Sequence, residues 1–335
     1  MEPLASIEGV RFGHWTDPRA VTGCTAVLVS KGAVAAVDVR GSAPATHETD
    51  LLASWASVQR IHGLLLTGGS AFGLAAVHGV VDALEEKGIG LGFAGSLVPI
   101  VPAAAIFDLA IGDGQTRPDR KSGRLAAEAA LKSGPDDPLV EGSVGAGTGA
   151  TVAKIFGRGS ARKGGVGAVC HRFPSGATVG AIAVVNALGN IVDPVAGAPV
   201  VESRDDAGRC VDEVFFAGSG GPIISAGISS GESTTLVAVV TDLKLSRNEC
   251  AVIARMAQDG LARTISPAHT PFDGDVVFAL ASCERCADVP VAVVGHVAAR
   301  VVAEAILRGV RNAEGRGGVA GARDDGRQLP PTAGN

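Results

Sequence analysis

The segment from residue 217 to residue 241 changes character within a few positions. Residues 217–233 are rich in Gly and Ser, with Gly218-Ser219-Gly220-Gly221-Pro222 near their start, a composition expected of a flexible, exposed loop. They give way to Leu236–Thr241, a β-branched apolar run that reads as a buried strand. Ser233-Thr234-Thr235 stands on the boundary. Were the peptide bond before Thr234 to open, one residue at the head of that strand would carry both a free amine and a hydroxyl. An α-amino group titrates at about 7.7–8.0, close enough to neutrality to serve as a base. A threonine hydroxyl with its own N-terminal amine is a recognised nucleophile–base pair. On spacing alone, however, Ser-Thr-Thr reads more readily as an ordinary polar strand entry, because such entries are common.

A second group of candidate residues is His269-Thr270-Pro271-Phe272-Asp273-Gly274-Asp275, which leads into another apolar run. Two carboxylates flanking a glycine in a tight turn can face one site, where each pushes the other's pKa apart and a nearby ammonium lowers both. The further acidic ligands of a calcium loop are missing, so a plain acidic turn is the competing reading. His269 is expected to make structural hydrogen bonds, and His47, His62, His78 and His296 lie among apolar residues as core or surface groups. Gly145–Lys154 lacks the Gly-Lys-Ser/Thr of a phosphate loop, and Ala150 breaks the dinucleotide-binding glycine register. Ser70 follows a strand and precedes a helix, but Phe72 stands where a nucleophile elbow needs glycine. Cys283-Glu284-Arg285-Cys286 has metal-ligand spacing without a second pair nearby, so no metal and no organic cofactor is expected.

The elements that must position these groups are legible in outline. Thr25–Val29 and Ala33–Val39 around Ser30-Lys31-Gly32 predict a hairpin, and Glu48–Ser54 predicts the start of a short helix. Gly63–Thr67 is a strand, and Ala71–Lys87 a helix that stops at Gly88. Arg124–Lys132, Ser246–Thr264 and Val291–Val310 are further helices. Strands are expected at Val166–Cys170, Ala177–Asn186 and Asp275–Leu280. Strands come in antiparallel-looking groups with helices between them, which predicts an α+β layered sandwich over a doubly wound sheet. Residues 1–312 read as a single domain, and 313–335 as a disordered tail.

Of the 335 residues, 46% are apolar and 19% charged, a globular composition with a core built from Ala, Val, Leu and Ile, since aromatics are 4% and Tyr is absent. The net charge of −5 and the lack of a dense basic cluster argue against a nucleic-acid partner. The longest apolar candidate, Leu97–Ile106, is short and contains two prolines, so no membrane span is expected. With no signal peptide visible and six scattered cysteines, a cytoplasmic location with free thiols is expected.

Several stretches, taken in order, resemble the DmpA family of L-aminopeptidase/D-esterases, which includes β-aminopeptidases and nylon-oligomer hydrolase. They are Glu48–Leu52, Gly68–Leu74, Val101–Asp108, Val144–Thr151 with Lys154, Val184-Val185-Asn186, Thr234-Thr235-Leu236 and His269–Asp275, spread over residues 5–310. The resemblance implies a four-layer αββα sandwich like that of the N-terminal-nucleophile hydrolases, made as a precursor. It implies cleavage between Ser233 and Thr234, giving an α-chain of residues 1–233 and a β-chain of 234–335, and then hydrolysis of small peptides, amino acid amides or esters. By position, Thr234 takes the nucleophile role, Asp273 and Asp275 match the pair that orients the new amine, Asn186 matches an oxyanion-holding amide, and Lys154 a lysine lining the site. Phe107 and Gly147 fall in the matched stretches as substrate-pocket residues. A tetramer of processed protomers is also implied. The family usually has Asn or Gly before the cut and a tyrosine where Phe107 stands, so an uncleaved member acting by binding is the alternative.

Overall fold

A computed structural model describes residues 4–135, 137–216 and 232–324. Its principal strands are β1 (Arg11–Asp17), β2 (Thr22–Val39), β3 (Ile61–Thr67), β4 (Thr151–Val152), β5 (Arg162–Lys163), β6 (Val166–Arg172), β7 (Thr178–Asn186), β8 (Thr234–Leu243) and β9 (Val276–Arg285). The principal helices are α1 (Val77–Glu85), α2 (Arg120–Lys132), α3 (Arg247–Thr264) and α4 (Val291–Arg311). Among the described residues one hydrogen-bonded ladder runs β6-β7-β8-β9-β2-β3 and on through Ala103–Ala105 to Ala45–His47, with β1 paired to β2.

Side-chain alternation along the strands sorts the apolar residues into three cores. Val237 and Val239 of β8, with Val277 and Ala279 of β9, face Ile253, Ala257, Val302 and Ile306 of α3 and α4. The residues between them, Leu236, Ala238, Val276 and Phe278, face the opposite way and share a core with Val27 of β2 and Leu64 and Leu66 of β3. Leu28 and Leu65, on the far side of β2 and β3, pack on Val80, Leu84 and Ala127 of α1 and α2. Helix, sheet, sheet and helix therefore follow one another, which is the αββα sandwich. All ten residues of β8 are buried: its middle, Leu236–Val240, is continuously apolar, and its polar residues Thr234, Thr235, Thr241 and Asp242 stand at the two ends.

Local chemistry sets the helix ends. Ser246 and Glu249 form a reciprocal capping box at α3, and the Asp119 side chain caps α2 by accepting from Ser122 N. α1 and α2 cross through glycines: a Cβ on Gly79 would lie 1.8 Å from Arg120 O, and one on Gly123 the same 1.8 Å from Ala76 O.

Three expectations are corrected. The hairpin at Ser30–Gly32 does not form, because β2 runs straight through as one 18-residue strand. Ser30-Lys31-Gly32 bulges out where the register against β3 shifts between Leu28 and Ala33. Ala33–Val39 finds its partner in β9, with Val276 opposite Val39, so its pairing is long-range. The helix expected at Glu48–Ser54 is a single 3₁₀ turn at Asp50–Leu52. Residues 313–324, expected to be disordered, carry turns: Ala313 is buried, and Ala320 O accepts from Lys163 N at 2.9 Å. The flexible loop read over 217–233 falls, for residues 217–231, outside the described residues. No helix among the described residues is long and apolar enough to cross a membrane.

Candidate active site

Strand direction brings the candidate residues together. β8 runs parallel to β9, so both begin at one end of the sheet, and β7, antiparallel to β8, finishes there. Register places Asn186, the last residue of β7, opposite Thr234, the first of β8. Ser233 forms a parallel bridge with Asp273 on the other side. Lys154 arrives from the loop after β4, which is pinned beside the end of β7 by Ala153 N to Gly189 O (3.1 Å) and Lys154 N to Leu188 O (2.9 Å). Thr234, Asn186, Asp273 and Asp275, which are separated in sequence by up to 89 positions, become neighbours through pairing alone.

At the centre, the Thr234 hydroxyl donates to the carbonyl oxygen of Ser233 at 2.6 Å, and Gly274 N–H donates to the same oxygen at 2.8 Å. One hydroxyl thus lies against the peptide bond that precedes it, while a backbone donor polarises the carbonyl. The space is closed: Thr234 is 2% exposed, and a Cβ on Gly274 would stand 2.8 Å from the Thr234 Oγ1. The Ser233 hydroxyl is buried and has no hydrogen-bond partner among the described residues.

Asn186 and Lys154 hold Glu232, the residue before Ser233. Asn186 Nδ2 and Lys154 Nζ each donate to Glu232 O at 3.2 Å. Lys154 Nζ also donates to Asn186 Oδ1 at 3.1 Å and to Asn186 O at 3.3 Å. The amide is fixed at both ends: Oδ1 accepts from Thr151 N at 3.0 Å, and Nδ2 donates to Phe107 O at 3.2 Å. That pattern assigns which end of the amide is oxygen. Burial lowers the Lys154 pKa to about 7, against the opposing pull of Asp273 and Glu232. The Glu232 carboxylate pairs outward with Arg158 at 2.9 Å.

The two aspartates are committed to neighbouring groups. Asp275 Oδ1 accepts from Thr235 N at 2.7 Å, and Oδ2 accepts from His269 N at 3.1 Å and lies 2.9 Å from His269 Nδ1. His269 thus makes the hydrogen bonds expected of it. Asp273 Oδ2 accepts from Thr270 N at 2.8 Å and Thr270 Oγ1 at 2.5 Å. Burial, then the adjacent Asp275 charge, raises the Asp273 pKa. Gly41 allows the backbone to approach this turn: a Cβ there would lie 2.1 Å from Asp275 N. Gly147 lies away from Thr234 in contact terms, packed where a Cβ would meet Val166 N at 2.4 Å. Phe107 joins the site through its carbonyl. Gly274 N–H and Thr151 N–H were not identifiable from sequence, because a backbone donor leaves no mark in residue type.

The chain matches the model of peptidase family S58 over residues 3–323. It is 42% identical to an uncharacterized aminopeptidase of Mycobacterium leprae, over 95% of this chain and 92% of that protein. It is 32% identical to the 6-aminohexanoate-oligomer endohydrolase of Paenarthrobacter ureafaciens, over 82% of this chain and 74% of that one. In fold it is similar to the L-aminopeptidase D-Ala-esterase/amidase of Ochrobactrum anthropi, a variant of the Ntn hydrolase fold (TM-score 0.70, 19% identity, 98% and 95% of the two chains). It is also similar in fold to a β-aminopeptidase of Burkholderia sp. (TM-score 0.65, 21% identity, 98% and 95% coverage). A match that spans nearly the whole chain, on a sandwich of the same architecture, places this protein in peptidase family S58, the DmpA-type family, as a hydrolase of amide bonds.

Proposed function

We propose that the chain cleaves itself between Ser233 and Thr234 and then hydrolyses amide or ester bonds of small peptides and amino acid derivatives, with Thr234 as the N-terminal nucleophile. The observation that carries this reading is the 2.6 Å contact of the Thr234 hydroxyl with Ser233 O, on which Gly274 N–H also converges at 2.8 Å. In the first step the Oγ–C bond forms and the C–N bond breaks. The hydroxyl proton passes to the departing nitrogen, leaving Ser233 as an ester on Thr234 Oγ1 and freeing the Thr234 amine. Water then opens the ester to a Ser233 carboxylate and a free hydroxyl. In the cleaved enzyme the amine accepts the hydroxyl proton as Oγ1 attacks a substrate carbonyl. Asn186 Nδ2 and Lys154 Nζ, released from Glu232 O once the chain end moves, are the donors available to the developing oxyanion. Asp273 and Asp275 hold the strand entry and supply negative charge beside the new ammonium. Thr235 N–H on Asp275 Oδ1 ties that carboxylate to the residue next to the nucleophile.

Substrates of this class are supported by the peptidase family and by the amide hydrolysed by the Paenarthrobacter relative. A tetramer of processed protomers remains part of the proposal. The test is to follow hydrolysis of L-amino acid p-nitroanilides alongside the cleaved fraction. Activity that rises with cleavage, and is lost with it in Thr234→Ala, supports the reading. Activity in an intact chain overturns it.

A further inference from the structure

Lys163 is fully buried, yet its ammonium hydrogen-bonds neither to Thr234 nor to the bond before it. Its Nζ donates to Thr148 O at 2.8 Å and Ala150 O at 2.6 Å. Both carbonyls belong to the segment that ends at Thr151, and the β4–β5 register sets Lys163 directly opposite Thr151. Thr151 N–H is the donor on Asn186 Oδ1. Across the same segment lies Asp108, 4% exposed, whose Oδ2 accepts from Thr22 Oγ1 and Oδ1 from Gly69 N, each at 2.7 Å. Asp108 follows Phe107, whose carbonyl accepts from the other end of the Asn186 amide. Gly149 passes between the two charges with no room for a side chain, since a Cβ there would stand 2.5 Å from the Asp108 Cβ.

Resting on the function proposed above, we infer that Lys163 and Asp108 form a buried positioning pair that sets the orientation of the Asn186 amide from both ends. Lys163 fixes the strand that presents Thr151 N–H to Oδ1, and Asp108 fixes the turn that presents Phe107 O to Nδ2. An amide freed at one end can rotate about its terminal torsion, which is broad and roughly two-fold, and turn oxygen towards the carbonyl it should donate to. Neither residue contacts the reacting atoms. Both act through Asn186, and a solely structural role would lack that dependence.

A double-mutant cycle on newly synthesised precursor tests this. Self-cleavage is followed by denaturing mass spectrometry, from minutes to days, in wild type, Lys163→Met, Asn186→Ala and the double variant, with thermal melting on each. Asn186→Ala removes the donor that holds Glu232 O beside the scissile bond, and a misplacement of about 1 Å there costs on the order of 10²-fold, within that time range. Lys163→Met is expected to slow cleavage about tenfold or more, because misplacement by about 1 Å of a reacting group costs on the order of 10²-fold. In the Asn186→Ala background the same change is expected to slow it less than about twofold, as required for residues that act as one unit. Equal slowing in both backgrounds, or no slowing in either, overturns the inference. Should Lys163→Met not fold, Asp108→Asn takes its place in the cycle with the same expected non-additivity, and additivity there refutes the inference. Thr234→Ala separates the two levels: a chain still cut at 233–234 defeats the site assignment itself, whereas an uncut Thr234→Ala with an additive cycle defeats only the positioning pair.

Discussion

Replacing Gly274 by alanine adds one methyl group between the nucleophile and the opposite wall of the site. The new Cβ would lie 2.8 Å from Thr234 Oγ1 and 2.7 Å from Ala43 O, with Pro44 Cα at 3.1 Å. Ordinary contact begins at 3.4 Å, so relief requires a displacement of about 0.6 Å. Retreat is blocked on the far side by backbone, which leaves the threonine hydroxyl and the Ser233 carbonyl to move apart. A misplacement of about 1 Å costs on the order of 10²-fold in rate, so about 0.6 Å corresponds to roughly a tenfold loss. Gly274 N–H also sits on the Ser233 oxygen, and any shift of that peptide weakens the polarisation as well. Overpacking of this kind costs about 1–3 kcal/mol of stability, which leaves the chain folded. The assay is the self-cleavage rate of fresh precursor, compared with Gly92→Ala, an exposed glycine whose added Cβ meets nothing within 4 Å. A tenfold slowing in Gly274→Ala with wild-type kinetics in Gly92→Ala is expected. Wild-type kinetics in both would refute the argument that the placing of Thr234 Oγ1 against the Ser233 carbonyl governs cleavage.

Lys154→Met separates function from stability. It removes the donors that hold Glu232 O and the Asn186 amide beside the scissile bond, and a resulting misplacement of about 1 Å is expected to slow self-cleavage on the order of 10²-fold in a mass-spectrometric time course. Burial lowers the pKa of this lysine to about 7, so little of its charge is lost at neutral pH, and the acceptors left without a donor are expected to cost about 1–3 kcal/mol, a fall of a few degrees in melting temperature that leaves the chain folded. A much larger fall in melting temperature would contradict that reading. His14 gives the chain an acid-sensitive joint. Its Nδ1 lies 2.8 Å from Thr25 Oγ1, which accepts from Ala146 N, and its Nε2 lies 3.1 Å from Val140 O. Burial lowers its pKa to about 4, so between pH 6.5 and 4 the unfolded chain takes a proton that the folded chain refuses. Stability is expected to fall through that window by up to about 3 kcal/mol and to be spared in His14→Gln, as read from urea unfolding at each pH. An equal fall in the variant would exclude His14 as the cause.

Part of the candidate site was legible because its residues sit where pattern breaks, while Asn186 and Lys154 were named through the family resemblance. Thr234 stands where a Gly/Ser tract meets an apolar strand, and Asp273-Gly274-Asp275 where a turn meets one. Their convergence was not legible, because it depends on β7, β8 and β9 pairing across long separations, which no local period reports. The same cause underlies the misread Ser30–Gly32. A Ser-Lys-Gly triplet suits a tight turn and a bulge equally, and the choice was made by β9, some 240 residues on. Lys163 was invisible because Arg162-Lys163-Gly164-Gly165 has the composition of a solvated turn, whereas its ammonium finds two backbone carbonyls in the interior. The α+β layering was recoverable because the continuous apolar runs of β8 and β9 and the helical period of α3 and α4 are strong, local signals, whereas the four-layer αββα order came from the family resemblance.

The central claim rests on one bond. Denaturing mass spectrometry of the purified wild type, beside Thr234→Ala, reads it directly. Two fragments spanning residues 1–233 and 234–335 in the wild type, with a single intact chain in the variant, are the predicted result. One intact chain in both would contradict self-activation and leave a family member that acts without a free N-terminal threonine.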